Sequence, residues 1–142
     1  MKNGLDCWSS AVYLGDGKLG SQGAVRCPGN GCSFLIPVRR DKNLSDGRRH
    51  SQKTWKWLQR ELYPFGGGTR APDLYEGWYL DPDTGKPVHD QSRRFIVAIT
   101  PDQLRGLRRL LREACTEFAQ KCIYLSVAGM VEFVEGHHEG SA

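Results

Sequence analysis

Glu76 is the first residue in this chain whose type and place point to chemistry. It lies in Leu74-Tyr75-Glu76-Gly77-Trp78-Tyr79-Leu80, a stretch that reads as a strand. Side chains alternate along a strand, so Glu76 falls with Leu74, Trp78 and Leu80, and Asp73, Tyr75, Gly77 and Tyr79 point the other way. A carboxylate on an apolar face must be paired, hydrogen-bonded or raised in pKa. Arg93 and Arg94, on the arm that returns after the turn Asp81-Pro82-Asp83-Thr84-Gly85, are its expected partners. Left free in a cleft between sheet and hairpin, the same carboxylate suits a general base. Asp90 is the alternative base, Arg93 or Arg94 would hold an anion, and Tyr75 or Tyr124 would donate a proton.

His89, Asp90 and Ser92 stand close together in the sequence, yet they are not a triad. Three residues within four positions do not generally reach the geometry of a nucleophile, a base and an orienting acid, and there is no nucleophile elbow. Asp90 and Ser92 are expected to fix an irregular segment from Pro87 to Ser92 through side-chain bonds to the backbone. Cys27 and Cys32, around a glycine turn, are candidates for half a zinc site, completed by Cys7 or by His137 and His138. Their spacing leaves four residues between them where the usual knuckle has two, so the expectation is free thiols, no metal and no cofactor.

The most polarised stretch runs from Arg39 to Arg60. It holds eight basic residues (Arg39, Arg40, Lys42, Arg48, Arg49, Lys53, Lys56 and Arg60) against two acidic ones, Asp41 and Asp46. With Trp55 and Trp57 interleaved, this segment is the expected anion-binding surface, through Arg39, Arg40, Arg48, Arg49 and Trp55, joined by Arg93, Arg94 and Trp78. Nucleic acid is the less favoured partner, because no helix-turn-helix or aromatic RNA-binding strand accompanies the charge. The net charge of +4 allows an acidic partner without demanding one.

The elements that must position these residues centre on Ser92 to Glu135. Phe95-Ile96-Val97-Ala98-Ile99 is an apolar run suited to a central strand. Thr100, Pro101, Asp102 and Gln103 then carry the signals of a helix start with a capping box. Leu104, Leu107, Leu111, Ala114 and Phe118 recur at helical spacing, and Arg105, Arg108, Arg109 and Arg112 take the opposite, solvated face. Ile123 to Val127 and Met130 to Val134 read as two short strands joined at Gly129, or as one strand bulged there. Upstream, Phe34 to Val38 is a first strand, and Ser51 caps a helix with Trp55, Leu58 and Leu62 on one face.

The order strand, helix, strand, strand, helix, strand implies an α+β, ferredoxin-like βαββαβ plan. Its antiparallel sheet carries two helices on one face and ends in an extra or bulged strand. Residues 1–32 read as a glycine-rich arm, 33–136 as one domain and 137–142 as a tail. The uncovered sheet face, expected to bear Trp78 and Tyr124, calls for a cover, either the N-terminal arm or a second subunit, and a homodimer is the commoner solution. No apolar run reaches the roughly 20 residues of a membrane span, so no membrane association and a cytoplasmic location are expected.

Tyr75-Glu76-Gly77-Trp78, Asp90-Gln91-Ser92-Arg93-Arg94-Phe95, Leu110-Leu111-Arg112-Glu113-Ala114-Cys115 and Ile123-Tyr124-Leu125-Ser126-Val127-Ala128-Gly129 are joined by Glu61-Leu62-Tyr63 and Val131-Glu132-Phe133. Over roughly residues 55–136 the chain resembles, in these motifs, a family of small bacterial proteins of unknown function. That resemblance implies a bacterial origin and assigns no catalytic residue. The expected role is therefore a small binding or regulatory module for an anionic ligand or a partner protein, with a small enzyme as the alternative.

Overall fold

A computed structural model describes residues 31–137 of the 142. Strand β1 (Cys32–Pro37) leads to helix α1 (Gln52–Leu62), strands β2 (Thr69–Leu80) and β3 (Pro87–Val97), helix α2 (Leu104–Glu117), and strands β4 (Cys122–Val127) and β5 (Met130–Glu135). The strands form one antiparallel sheet in the order β2-β3-β1-β4-β5. Both helices pack on one face of it. This is the ferredoxin-like α+β plan, with β5 added beyond β4. No helix among the described residues is long and apolar enough to cross a membrane.

Strand register decides which side chains meet the helices. Phe34 of β1 pairs with Phe95 of β3 and Leu125 of β4, all three buried. The Phe34 and Phe95 rings stack at 5.3 Å. Under α2 the core takes Leu107, Leu111, Ala114 and Phe118, each fully buried, at the helical spacing expected of an amphipathic face. Phe118 closes the far end, its ring 4.9 Å from Trp55 and 4.8 Å from His50.

The caps follow the sequence. Ser51 Oγ accepts the Thr54 N–H at 3.4 Å, and Gln103 Oε1 accepts the Thr100 N–H at 3.0 Å. Residues 101–103 form one 3-10 turn before α2 proper. Of the two readings at Gly129, two strands is the right one: Val127 faces Met130 across a two-residue turn. Ala128 and Gly129 both have positive φ there, as a twist-matched hairpin turn requires.

Several boundaries differ from expectation, β1 among them, which runs Cys32–Pro37 instead of Phe34 to Val38. Pro87 to Ser92 is regular strand, because the turn at 81–86 sets a register that every residue through Ser92 can follow. β3 ends at Val97 instead of Ile99, where its partners on both sides run out. β2 starts at Thr69, and its register shifts between Arg70 and Leu74. Pro72, which has no N–H to offer the ladder, lies inside that shift.

One mismatch of length shapes the molecule. β1 has six residues, whereas β2 has 12 and β3 has 11. β1 pairs with β3 only from Ser92 to Val97, so residues 76–91 run on as a two-stranded arm past the end of β1. The tip of the arm is tethered by an ion pair from Lys121, just before β4, to Asp83.

Candidate functional site

The arm carries most of the chemistry named above, and strand alternation sorts it onto two faces. Leu74 faces Arg93, Glu76 faces Gln91 and Trp78 faces His89, on the side where the helices lie. Tyr75 faces Ser92, Gly77 faces Asp90 and Tyr79 faces Val88, on the open side. Glu76 and Asp90 are therefore on opposite faces of the sheet, as are Arg93 and Arg94. Of the expected alternatives, Glu76 can therefore share a face only with Arg93, and Asp90 only with Arg94.

On the helix side the arm outruns the helices, and its apolar residues meet solvent. Trp78 is 72% exposed. Its ring stacks on His89 at 5.1 Å between centroids and 6° between planes. The Glu76 carboxylate lies 3.9 Å from His89 Nε2. The expected pairing of Glu76 with Arg93 or Arg94 is thus corrected: His89 is its partner, since the register sets Leu74 opposite Arg93. The placement of Trp78 on the open face is corrected too, by the same parity. Nothing local in the sequence marks His89 as a site residue, although counting outward from the turn finds it, with Leu80 opposite Pro87 and hence Trp78 opposite His89.

Further along the same face, the Arg93 guanidinium sits 5.6 Å from the Trp55 ring centroid. Arg70, which no local motif marks, pairs with Phe95 and so joins Arg93 on this face. Burial, and then the charges of Arg70 and Arg49, lower the hold of Arg93 on its proton. Among the described residues the ion pairs are Arg40 with Asp46, His89 with Glu76, Arg108 with Glu132 and Lys121 with Asp83. None of them neutralises Arg49, Arg70 or Arg93.

The rest of the basic segment is more dispersed. Arg40 is engaged by Asp46 at 3.4 Å, and the Asp46 carboxylate also accepts the Arg48 N–H at 3.0 Å. Arg39 and Arg49 oppose each other across an isolated antiparallel bridge, and both are exposed. His50 folds inward, its Nε2–H donating to the Pro37 carbonyl at 2.8 Å.

On the open face Ser92 Oγ donates to Asp90 Oδ1 at 3.3 Å. Burial pushes the Asp90 carboxyl above its ordinary pKa, and the Ser92 bond offsets part of that rise. Tyr79 is raised as well, by burial first and then by the Asp90 charge. Arg94 donates to the Tyr75 hydroxyl at 3.2 Å and lies 5.9 Å from that ring. Tyr124 sits against Phe133, 5.9 Å between centroids. It is three strand spacings from β2, roughly 14 Å, and on the face opposite Glu76, so it cannot act with that carboxylate.

Of the two thiols weighed for zinc, Cys27 lies outside the described residues. Cys32 is 2% exposed inside the core, where burial drives its thiol up to about 11. Among the described residues, no group of three or more His, Cys, Asp or Glu side chains is arranged to hold a metal ion.

No family model matches the chain, and no curated protein does. Among solved structures the chain is similar to a phage SAM lyase in complex with S-methyl-5'-thioadenosine, with a TM-score of 0.54 at 16% identity, covering 78% of this chain and 94% of that one. The phage SAM lyase in its apo state is similar with a TM-score of 0.50 at 16% identity, over 76% and 91% of the two chains. The divalent cation tolerance protein Cut A1 from Thermus thermophilus aligns at 12% identity with a TM-score of 0.42, over 79% and 85%. At these identities the likeness is one of fold.

Proposed function

We propose that this chain is a small enzyme that takes an adenosine-linked sulfonium or thioether on the helix-side face of its arm, with Glu76 at the reacting centre. The observation that carries the reading is the Trp78 and His89 stack with the Glu76 carboxylate 3.9 Å from His89. An exposed indole held flat by a second ring is a platform for a nucleobase, and such stacking contributes about 1–3 kcal/mol. A carboxylate beside that platform attracts a positive sulfur or accepts a proton next to it. Both groups stand on paired strands, which hold them more firmly than a loop would. The fold shared with a lyase seen with S-methyl-5'-thioadenosine supports the ligand class; the residues above are this chain's own.

The test is titration calorimetry with S-methyl-5'-thioadenosine and with SAM, followed by chromatography of the SAM incubation. Binding of either compound, with turnover of SAM that Glu76→Gln abolishes while binding persists, is the expected result. Absence of binding up to millimolar ligand would refute the reading.

We further propose that a second copy of the chain covers the open sheet face as a homodimer. Tyr75 and Tyr79 on β2 and Val131 and Phe133 on β5 bear exposed apolar surface on that side, and Phe133 alone is 64% exposed. Native mass spectrometry reads the subunit number directly, and a monomer at micromolar concentration would remove this proposal.

A further inference from the structure

We infer that Arg49, Arg70 and Arg93 form a binding site for the oxyanion group of a small ligand, a phosphate or a carboxylate, where the loop of residues 39–50 meets the β2–β3 pair beside Trp55. The inference does not depend on the ligand of the Trp78 platform. His89 and Arg93 are four residues apart on β3, roughly 13 Å, so the two places are separate.

Three separate elements supply the cations. Arg93 is central, pairing with Ile36 on one side and Leu74 on the other. Arg70 stands diagonally across, opposite Phe95, within reach for a long side chain. Arg49 stands opposite Arg39 in the bridge just past the end of β1, near enough for its charge to weigh on Arg93. Like charges brought together repel, and a fold normally interleaves carboxylates among them. Here none of the described carboxylates pairs with any of the three.

The surroundings favour an anion. The Trp55 ring takes one flank of the Arg93 guanidinium at 5.6 Å and fixes its direction. A guanidinium held this way presents its planar fork of N–H donors to a carboxylate or a phosphate. Trp55 is itself stacked on Phe95 at 5.9 Å, so the platform belongs to the core and does not swing. Such a site takes small oxyanions and needs no sequence-reading element, in keeping with a basic segment that lacks one.

The experiment is thermal unfolding of the full chain titrated with inorganic phosphate, pyrophosphate and citrate, ionic strength being held constant with sodium chloride. The expected result is a rise in Tm of roughly 5 °C at saturating anion for the wild type. Arg49→Gln and Arg70→Gln, both at exposed positions, should fold, raise the anion-free Tm by relieving repulsion, and weaken the response roughly tenfold. Arg70→Glu should supply the missing carboxylate, raising the anion-free Tm further and abolishing the response. A stronger response to phosphates than to citrate assigns a phosphoryl ligand, and the reverse assigns a carboxylate. Equal Tm in chloride and in every oxyanion would overturn the inference, as would Gln variants that keep the full response. Stabilisation by a single-stranded oligonucleotide alone would overturn it in favour of a nucleic-acid face.

Discussion

The rings of Trp78 and His89 lie 5.1 Å apart and 6° from parallel on a part of the arm that no helix covers. Neither contributes to the core, and their order comes from cross-strand pairing alone. Residues held in place for packing are buried; these two are held in place and exposed, which is what a recognition surface requires.

Trp78→Ala should therefore separate binding from stability. At 72% exposure the indole adds little to the fold, and its loss should leave the unfolding free energy within about 0.5 kcal/mol of wild type. On the function proposed above, affinity for S-methyl-5'-thioadenosine should fall roughly 5- to 150-fold, the equivalent of about 1–3 kcal/mol. Urea melts and calorimetry on the same preparation check both halves.

Asp90 gives a pH signature of known sign. Its folded-state pKa is raised, so between the unfolded and folded values the native state binds more protons than the unfolded chain. Stability from this group is then greater on the acid side and declines as pH rises through the folded value. Asp90→Asn should raise Tm at neutral pH by roughly 2 °C, and the gain should vanish as the pH is lowered into the carboxylate range. A gain that is flat with pH would show that burial of the charge is not its origin.

Thiol labelling should follow burial. Cys115 is fully buried and its thiol is driven up to about 12, while Cys32 is driven up to about 11. Only the thiolate reacts appreciably, so both should resist iodoacetamide at pH 8 until the fold opens. Cys122, half-buried at the start of β4, should be alkylated before either. Peptide mass spectrometry with increasing urea gives the order.

Phe118 is among the residues whose loss the fold should feel most. Its ring meets His50 at 4.8 Å, Trp55 at 4.9 Å and Trp57 at 6.3 Å. Phe118→Ala should cost about 3–5 kcal/mol, a large share of the roughly 5–15 kcal/mol a domain possesses. It should also move tryptophan emission to longer wavelength by wetting Trp55 and Trp57. Retained stability with unshifted emission would contradict the packing described.

The fold was legible where local signals agreed. Thr100 and Gln103 announced the start of α2, the spacing of Leu107, Leu111 and Phe118 announced its buried face, and the alternation of Leu74 to Leu80 gave the correct partition between the two sides of β2. The site was less legible because its character depends on lengths and on register between distant segments. Alternation placed Glu76 beside Trp78, but nothing local showed that β1 stops at Pro37 and leaves both in solvent. Arg70 was passed over because its alignment with Arg93 runs through a register shift at Pro72. Trp55, by contrast, shares a face of α1 with Leu58 and Leu62, and that spacing is enough to show that it packs against the core.

The unequal lengths of β1 and the β2–β3 pair also set how this scaffold can change. Residues added between Leu80 and Pro87 and their flanking strands do not disturb the pairing of Phe34 with Phe95. Additions of two residues per strand keep every face and carry the tip outward by roughly 6.8 Å, whereas one per strand turns the displaced side chains over. The reach of the arm is thus quantised, and a lineage that needs a longer or shorter grasp must adjust it in steps of four residues.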